Sequence, residues 1–406
     1  MSASPATILQ IVPELETGGA ELSAIEMAAA ITASGGRALV VSEGGRLEED
    51  LTRAGGELVR LPVASKNPLT ILANAGRIAA LARREGVSII HARSRAPAWS
   101  GLLAARRCGV PFLTTYHGAY NEQGAIKRFY NSVMVRGRVV IANSHYTARL
   151  IEERYGTPRA RIRVVHRGVG PAFDPGRTSA TDTAALRASW GVPDQARIIL
   201  LAGRLTAWKG QRVLIEAFRQ IADKAPATDS VVVLAGDHQG RDDYRAGLIR
   251  QATEAGLGDR VRLVGHERNM PAAFAAAHVA VVASTAPEAF GRTAVEAQAM
   301  GAPVIATRHG ATPETVLAPP DAAPDAQTGW LVTPDDATDL ARHLVEALTL
   351  DEAARSAMGR RARAHVQANF TTDLMKSKTL RIYDELCDEA IAAGWIEPFT
   401  AVRQRL

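Results

Sequence analysis

The chain has 406 residues, enough for two domains at roughly 100 to 200 residues each. With 47% hydrophobic and 22% charged residues, the composition is that of a globular protein and excludes a disordered or collagen-like chain. The net charge is +6, but residues 1–170 alone carry 22 basic and 13 acidic side chains, so the positive excess lies in the first part of the chain.

Strand-like apolar runs alternate with helical stretches through this first part. In chain order the predicted strands are ATILQIV, RALVVS, VSIIHA, PFLTTYH and VVIANS. The predicted helices are ELSAIEMAAAITASGG, an alanine-rich helix that ends at Glu85, and AWSGLLAARRCG. This alternation predicts a parallel sheet with helices on both faces.

The alternation pauses between Gly168 and Val192. Glycine and proline near the start of this stretch, and a Ser/Thr/Asp run after them, are typical of a linker and the entry to a second domain. A second series of strands then follows, separated by helices: ARIILLAG, SVVVLAGD, RVRLVG, VAVVAS and APVIAT.

These patterns predict an α/β protein with two doubly wound domains that face each other across a cleft. We predict a first domain over residues 1–170, a second over 171–379, and a C-terminal helix over about 380–406 that packs back on the first. An open parallel sheet binds ligands at the carboxyl ends of its strands, so we expect the functional site in the cleft.

Several features bear on where the protein acts. The N-terminus lacks the pattern of a signal peptide and no run of about 18 apolar residues occurs, so we expect any membrane contact to be peripheral, on the inner face of the cytoplasmic membrane. Cys108 and Cys387 lie in no CxxC or Cys/His spacing, which indicates reduced thiols in a cytoplasmic protein. The basic first half suits an anionic membrane surface or an anionic substrate, and with no recognised nucleic-acid motif we expect no nucleic-acid partner.

Polar residues and glycines follow the strands of the first series. Gly18 and Gly19 allow backbone amides to approach a phosphate at a helix N-terminus, although a tight turn explains them equally well. His117 ends one strand and faces the predicted cleft, or it is a packed turn histidine. The segment IIHARSRAP ends another strand with His91, Arg93 and Arg95, for which a polar loop is an equally good interpretation.

The segment LLAGRLTAWKG places two cations at the end of a strand. Arg204 and Lys209 would point from the carboxyl edge of the second sheet into the cleft. Arginine holds phosphate oxygens in a bidentate way and lysine acts as a point charge, so this pair suits a diphosphate. The alternative is surface salt bridging.

The segment APEAFGRTAVEAQAMG follows a strand and opens a helix at about Thr293. Glu288 lies in its loop and Glu296 in the predicted first turn, with FGR between them to supply amides near the helix N-terminus. A diphosphate suits those amides, and the carboxylates suit sugar hydroxyls. Acid/base glycoside hydrolysis by the two carboxylates is the alternative, since the sequence does not fix their separation.

Taken in order, GGAE, YHG, ANSHYTARLI, AGRLTAWKG, RVRLVGH and PEAFGRTAVEAQAMGAPVIAT resemble the retaining GT-B glycosyltransferases of family 4 (glycosyl transferases group 1) over nearly the whole chain. The spacing from Glu288 to Glu296 matches the family's hallmark. The resemblance implies the GT-B fold, with two Rossmann-like domains, and a nucleotide-sugar donor.

The resemblance also implies a role for each matching residue. Arg204 and Lys209 would bind the donor diphosphate, and Glu288 would contact the transferred sugar beside His117. The remaining donor contacts would come from Gly19 at the phosphate, Phe290, Gly291, Arg292 and Thr293 at the helix start, Glu296 at the ribose, and Val264, Arg268 and Met270 around the nucleobase.

Family members keep the anomeric configuration and need no metal, which implies that the leaving phosphate takes the acceptor proton while the protein stabilises charge and positions the acceptor. No DxD sequence occurs, so a two-carboxylate metal site of that kind has no candidate, and we expect no metal and no cofactor besides the donor. Two departures stand out: Arg167 to Gly170 read RGVG where relatives have Asn-Gly-Val-Asp, and His309-Gly310 replaces a Gly-Gly pair, which bears on the sugar hydroxyls that are read.

These observations predict a hexosyltransferase that uses a UDP- or GDP-sugar and a cell-envelope glycan or lipid-linked acceptor, such as lipopolysaccharide core or a glycolipid. A GT-B sugar-nucleotide epimerase is the alternative, distinguished by epimerised sugar nucleotide in the absence of acceptor.

Overall fold

The computed structural model describes residues 6–16, 18–118, 120, 124–387 and 390–395. They form two compact units, one within Met1–His166 and Thr372–Leu406, the other Arg167–Thr371. Each unit is built on its own parallel sheet.

Before His166, the described residues of the first unit contain seven strands and six α-helices. The strands are β1 (Thr7–Ile11), β2 (Arg37–Ser42), β3 (Glu57–Arg60), β4 (Val87–Ala92), β5 (Phe112–Tyr116), β6 (Val139–Ala142) and β7 (Ile162–Val164). The helices are α1 (Gly19–Ala33), α2 (Glu48–Arg53), α3 (Pro68–Arg84), α4 (Arg95–Cys108), α5 (Ala125–Asn131) and α6 (His145–Tyr155).

The first sheet has the order β3-β2-β1-β4-β5-β6-β7, and all of its pairs are parallel. In register, Leu9 pairs with Leu39 on one side and Ile90 on the other. The chain order reverses between β1 and β4, which makes this pair the switch point at which such sheets bind ligands. Buried aliphatic side chains cover both faces of the sheet.

The second unit contains six strands and eight helices. The strands are β8 (Arg197–Ala202), β9 (Ser230–Ala235), β10 (Val261–Gly265), β11 (Val279–Val282), β12 (Val304–Thr307) and β13 (Gly329–Val332). The helices are α7 (Ala180–Ser189), α8 (Gln211–Ile221), α9 (Asp242–Glu254), α10 (Met270–Ala276), α11 (Arg292–Ala299), α12 (Thr312–Thr315), α13 (Ala337–Thr349) and α14 (Glu352–Asn369).

The second sheet has the order β10-β9-β8-β11-β12-β13, again parallel throughout. Its switch point lies between β8 and β11. The central strands are almost continuous runs of buried Val, Ile and Leu, as expected for a sheet covered on both faces.

A last helix, α15 (Thr372–Cys387), returns to the first unit. Its Leu380, Tyr383 and Leu386 join a core cluster with residues of β1 and α1 such as Ile8 and Met27. We predicted a boundary after residue 379, but the whole helix belongs to the first unit, which begins again at Thr372. The rest of the predicted tail, from residue 396, lies outside the described residues.

The junction between the units also differs from the prediction. The first boundary falls after His166 rather than after residue 170, because the Val169 amide donates to the Phe370 carbonyl at 2.8 Å and the Val169 side chain packs in a cluster of the second unit. The predicted linker up to Val192 contains α7. Ser179 and Asp182 form a reciprocal capping box at its start, and this Ser-x-x-Asp signal was readable in the sequence.

Local signals account for other helix ends. Asn67 caps α3 ahead of Pro68, and the Ser144 hydroxyl accepts the Thr147 amide hydrogen of α6. Gly109 and Gly156 end α4 and α6 in the left-handed conformation that glycine adopts without strain. In the described part of the chain, we find no helix with both the length and the apolar character needed to cross a membrane.

Candidate active site

The loop after β8 packs closely against the end of β11, and a glycine makes this contact possible. Gly210 precedes α8 with φ of +74°, and a Cβ atom there would lie 1.8 Å from the Ala283 carbonyl oxygen. Only glycine fits such a position, because a backbone atom cannot be pushed aside as a flexible side chain can. The close approach brings Lys209 beside the loop that follows β11.

At this switch point Lys209 and Glu288 form an ion pair. Lys209 Nζ lies 2.5 Å from Glu288 Oε1, and the side chains are 15% and 13% exposed. The same oxygen accepts a hydrogen bond from Ser284 Oγ at 2.7 Å. The Lys209 ammonium also lies 4.4 Å from the centre of the Trp208 ring, so the cation is held on two sides. The carboxylate and the cation are therefore fixed in place yet remain partly open to solvent.

Backbone contacts hold the Glu288 loop on its other side. The Ala311 amide donates to the Glu288 carbonyl at 2.9 Å, and Gly310 forms a bridge with Glu288. Gly310 has φ of +66°, and a Cβ atom there would lie 2.3 Å from the Glu288 carbonyl oxygen. Of the His309-Gly310 pair, the second position therefore requires glycine for backbone reasons, whereas the first accepts a side chain.

Helix α11 begins directly after this loop. Gly291 caps it with φ of +81°, while Phe290 anchors the loop: it is 3% exposed, with its ring centroid 5.7 Å from that of Phe370. The first amides of a helix have no partner within the helix, so this end suits an anion. The side chain of Phe290 is thus a core contact, and only its backbone is placed to serve a ligand.

Glu296 is the fifth residue of α11, one position further along the helix than the sequence predicted. The helix begins at Arg292, which puts Glu296 in its second turn, where its Oε1 lies 3.1 Å from Arg292 Nη2. Burial raises the pKa of Glu296, while the positive charges of Arg292 and Lys209 oppose the rise. The Glu296 side chain is 15% exposed, and a carboxylate with a single cation beside it retains the capacity to accept further hydrogen bonds.

The other predicted donor contacts lie on neighbouring loops of the second unit. Arg204 is exposed, and its backbone carbonyl accepts from the Gln211 side chain at 2.9 Å. Val264 and Met270 are partly buried against the core at the end of β10 and the start of α10, and Arg268 between them is exposed. Thr293 is half-buried in α11. Their roles toward a donor stay predictions.

In the first unit, a carboxylate lies at the predicted phosphate position. Gly18 caps α1 and Gly19 is its first residue. The Glu21 carboxylate folds back so closely that a Cβ atom on Gly18 would lie 1.9 Å from Glu21 Oε2. A carboxylate already satisfies the preference of a helix N-terminus for negative charge, so Glu21 must move before a phosphate can approach Gly19.

His91 and Arg93 belong to a buried polar network. His91 Nδ1 lies 2.7 Å from Tyr383 Oη and its Nε2 lies 2.7 Å from Thr115 Oγ1, while Arg93 donates twice to Gln10 Oε1, at 2.9 and 2.7 Å. Burial lowers the pKa of His91 well below 6.5 and raises that of Tyr383 to about 12. His91 and Tyr383 therefore link β4 to α15 as neutral hydrogen-bond partners.

Arg95 and His117 follow the same two strands, β4 and β5. Arg95 donates to Asn131 Oδ1 at 2.9 Å, and its guanidinium lies 4.3 Å from the centre of the Tyr120 ring, so it braces the start of α4. His117 directly follows β5, is half-buried, and accepts a bond from the Asn143 amide through its backbone carbonyl at 3.2 Å. Its role beside a sugar stays a prediction.

Sequence reasoning missed Ser284. It was read only as the end of the strand VAVVAS, although it is fully buried and donates to Glu288. Its position four residues before Glu288 is visible in the sequence, but the pairing depends on the turn between them. Trp208, whose ring lies under Lys209, was missed for the same reason.

The two units, each with a parallel sheet covered by helices, have the architecture of the GT-B glycosyltransferases, and the Lys209–Glu288 pair lies at the switch point of the second sheet. The family model described as glycosyl transferases group 1 matches residues 182–365, and that described as glycosyltransferase family 4 matches residues 17–173. The chain belongs to the group 1 glycosyltransferase family.

Known relatives and structures agree with this assignment. The chain is 29% identical to the D-inositol 3-phosphate glycosyltransferase of Corynebacterium jeikeium (strain K411), over 79% of this chain and 78% of the relative. A glycosyltransferase structure from Rickettsia africae ESF-5 is 33% identical, with a TM-score of 0.87, and the match covers 96% of this chain and all of that one. Anabaena Alr3699/HepE, solved with UDP and glucose, is 25% identical with a TM-score of 0.80, covering 94% of this chain and all of that one.

Proposed function

We propose that this protein is a retaining, metal-independent hexosyltransferase that uses a UDP-sugar, or failing that a GDP-sugar, as donor and a cell-envelope glycan or lipid-linked molecule as acceptor. The observation that carries the proposal is the Lys209–Glu288–Ser284 arrangement at the switch point of the second sheet, beside the N-terminus of α11.

The donor follows from the charges at this edge. Lys209, the exposed Arg204 and the first amides of α11 supply positive potential suited to a diphosphate without a metal ion. Glu296, in the second turn of α11 with its side chain 15% exposed, suits the ribose hydroxyls. UDP is preferred to GDP because the Anabaena protein, of similar sequence and fold, was crystallised with UDP-glucose.

Glu288 acts in this scheme as a hydrogen-bond acceptor. Its Oε1 already receives bonds from Lys209 and Ser284, so the carboxylate is set to receive a sugar hydroxyl rather than to deliver a proton. In the transfer, the bond from the anomeric carbon to the leaving phosphate breaks, the acceptor oxygen bonds to the same face, and the acceptor proton passes to the leaving phosphate. The protein stabilises the charge that builds on that phosphate.

The acceptor is proposed from charge. Basic residues outnumber acidic ones in the first part of the chain, which suits a phosphorylated glycan or lipid. The name of the Corynebacterium relative makes a phosphorylated polyol the second acceptor to test. Cys108 on α4 and Cys387 on α15 are in keeping with reduced thiols in a cytoplasmic setting.

The test measures nucleotide release from UDP-glucose, UDP-galactose, UDP-N-acetylglucosamine and GDP-mannose, with lipopolysaccharide core, a glycolipid extract or inositol 3-phosphate as acceptor. The anomeric configuration of the product is read by NMR, with and without EDTA. We expect one UDP-sugar to be consumed with retention and with no effect of EDTA.

A matched pair of variants checks the site. Glu288→Ala should reduce transfer on the order of 10²-fold or more, whereas Glu254→Ala, an exposed carboxylate on α9, should not. Equal activity of wild type and Glu288→Ala would overturn the site, and an inverted product would overturn the retaining mechanism. Epimerised UDP-sugar without acceptor would point instead to an epimerase.

A further inference from the structure

A cavity of about 460 Å³ opens at the carboxyl edge of the second sheet. Thr206 and Ala207, in the loop after β8, line one side of it, and residues 240–244 at the start of α9 line the other. The volume lies within the range of about 300–1,000 Å³ that is usual for small-molecule sites. The cavity is therefore large enough to be a binding site in its own right.

Backbone contacts hold the two sides of the cavity together. The Leu205 amide donates to the Asp237 carbonyl at 3.0 Å, and a Cβ atom on Gly236 would lie 1.9 Å from the Gly203 carbonyl oxygen. Residue 236 must therefore be glycine for the loops after β8 and β9 to approach so closely. Because the loops are already packed together, a ligand in the cavity needs little reordering of the chain.

Tyr244 forms the aromatic wall of the cavity. Its hydroxyl donates to Gln211 Oε1 at 3.0 Å, and the Gln211 amide donates in turn to the Arg204 carbonyl at 2.9 Å. The Arg212 guanidinium lies 5.6 Å from the centre of the Tyr244 ring. Burial raises the pKa of Tyr244, so its hydroxyl stays neutral. These contacts fix the orientation of the ring.

On the opposite wall lies a hydroxyl without a partner. Thr206 is 8% exposed, and its Oγ1 makes no hydrogen bond within the described residues. A buried hydroxyl without a hydrogen bond is unfavourable, and almost all such groups in proteins bond another residue, water or a ligand. Thr206 thus indicates that the cavity receives a polar molecule.

The charges at the edge of the cavity restrict the kind of molecule. Asp242 and Asp243, in the first turn of α9, and Arg241 before them are all exposed. Asp242 Oδ1 lies 3.1 Å from His238 Nε2, and Arg241 donates to the His238 carbonyl and to Gln239 Oε1, both at 3.2 Å. The two carboxylates already complement the positive end of α9, so a further anion is not favoured. Carboxylate oxygens that accept and guanidinium N–H groups that donate suit the hydroxyl groups of a neutral molecule.

The cavity and the Lys209–Glu288 pair lie on opposite sides of β8. In the sheet, β9 is one neighbour of β8 and β11 is the other. The cavity is completed by residues that follow β9, whereas Glu288 follows β11. Thr206 and Lys209 belong to the same short turn, Ala207–Lys209 with Thr206 before it. The cavity is therefore separate from the candidate active site but adjoins it through one loop.

We propose that this cavity binds a neutral sugar unit of the acceptor glycan, next to the unit that receives the transferred sugar. This inference rests on the proposed function. The Tyr244 ring packs on the C–H face of the sugar, while Thr206, Arg241 and the two aspartates of α9 bond its hydroxyls. The donor nucleotide suits the cavity less well, because its diphosphate would lie against two carboxylates.

The first experiment measures binding of neutral trisaccharides to the full chain by saturation-transfer NMR in the absence of UDP. The probes are maltotriose, cellotriose and mannotriose, each compared with its monosaccharide. We expect at least one trisaccharide to bind roughly 10-fold or more tightly than its single unit, because a linked unit reaches the second position at high effective concentration.

Variants of the two walls locate the binding. Tyr244→Ala should weaken trisaccharide binding roughly 10-fold or more, whereas Tyr244→Phe keeps the ring and should bind within about 2-fold of wild type. Thr206→Val keeps the shape but not the hydroxyl, and should weaken binding about 5-fold. Arg250→Gln, at an exposed residue of α9 that does not line the cavity, is the control. Unchanged thermal stabilisation by UDP shows that each variant is folded.

The transfer assay separates this site from the donor site. Tyr244→Ala should raise the KM for the acceptor roughly 10-fold while kcat and the KM for the donor stay unchanged, because the lost contact binds substrate and transition state equally. A merely structural role for Tyr244 would instead lower the melting temperature and change both KM values.

Three results would overturn the proposal: wild type that binds none of the trisaccharides, a Tyr244→Ala variant that binds them as wild type does, or a Tyr244→Ala variant that loses affinity for UDP and for trisaccharide by the same factor. The last result would assign the cavity to the donor nucleotide. If no UDP- or GDP-sugar reacts while trisaccharide binding remains sensitive to Tyr244→Ala, the proposed function fails and the sugar site stands.

Discussion

The polar side chains at the switch points of the two sheets differ in burial. Between β8 and β11, Lys209 and Glu288 pair with each other and remain 15% and 13% exposed. Between β1 and β4, Gln10 and His91 are fully buried, and Tyr383 of α15 closes over them. The same topological position thus holds the candidate site in one unit and a buried structural network in the other, so position at a switch point is not sufficient evidence for chemistry.

The largest effect should come from the pair in the second unit. Glu288→Gln and Lys209→Met should each lower kcat by about 10²- to 10³-fold, because each removes a charge aimed at the donor. The double variant should be no worse than the more damaged single variant, since groups that act as a unit are not additive. Steady-state kinetics of the three variants decides this, and fully additive losses would mean that the two groups act separately.

A substitution that displaces the backbone of Glu288 should also disturb the Lys209–Glu288 pair. Gly310→Ala brings a methyl group against the Glu288 carbonyl oxygen, displaces the loop and should lower transfer about 10²-fold. Gly256→Ala is the control, because Gly256 has a similar φ of +72° but open space around it. Equal loss in both variants would show that backbone strain, and not the contact with Glu288, is responsible.

Ser284 should matter less than the charges it orients. Ser284→Ala removes one of the two bonds on Glu288 Oε1 and should lower kcat roughly 10-fold, with little change in KM for the donor. Ser230→Ala, at a buried serine of β9 whose hydroxyl does not bond Glu288, should leave kcat unchanged. A purely structural role for Ser284 would lower the melting temperature and spare kcat.

Changes to the buried network of His91 and Tyr383 in the first unit should lower the free energy of unfolding without weakening donor binding. Tyr383→Phe removes the hydroxyl that His91 contacts and should cost about 1–3 kcal/mol in unfolding free energy, because a buried polar group loses its partner. Tyr130→Phe should cost less, since its hydroxyl makes no hydrogen bond to the described residues. Urea unfolding measures both. Reduced UDP affinity in Tyr383→Phe would contradict the contrast between the two switch points.

The smallest effect concerns pH. Because burial raises the pKa of Glu296 above its ordinary 4.5, the carboxyl gains its proton at a higher pH than an exposed one. Protonation weakens the bonds it accepts from a ribose, so UDP affinity should fall a few-fold as pH is lowered through that raised pKa. Glu296→Gln should lose this step, while protonation of UDP itself affects both proteins alike. Identical pH profiles would remove Glu296 from the donor site.

Much of the fold was readable because buried parallel strands are nearly continuous apolar runs. VVVLA and VAVV were predicted as strands on that ground, and β9 and β11 lie there. Helix α7 was missed although its capping box is local, since the polar residues around it were read as a linker. The unit boundary at Thr372 was missed because a boundary depends on packing, which no short pattern records.

The sequence by itself determined five strands of each sheet, the family, and which side chains follow the strands with charge, Glu288 and Lys209 among them; the short strands β3, β7 and β13 were not predicted. Only the tertiary structure decided which of these groups meet. Lys209 and Glu288 are 79 residues apart, and His91 and Tyr383 are 292 apart. The local pattern of apolar and polar residues indicates which face of a strand or helix is exposed, but not which distant residue each side chain contacts. Polar residues therefore follow the strands at both switch points in the sequence, and the difference in their contacts arises only in the folded chain.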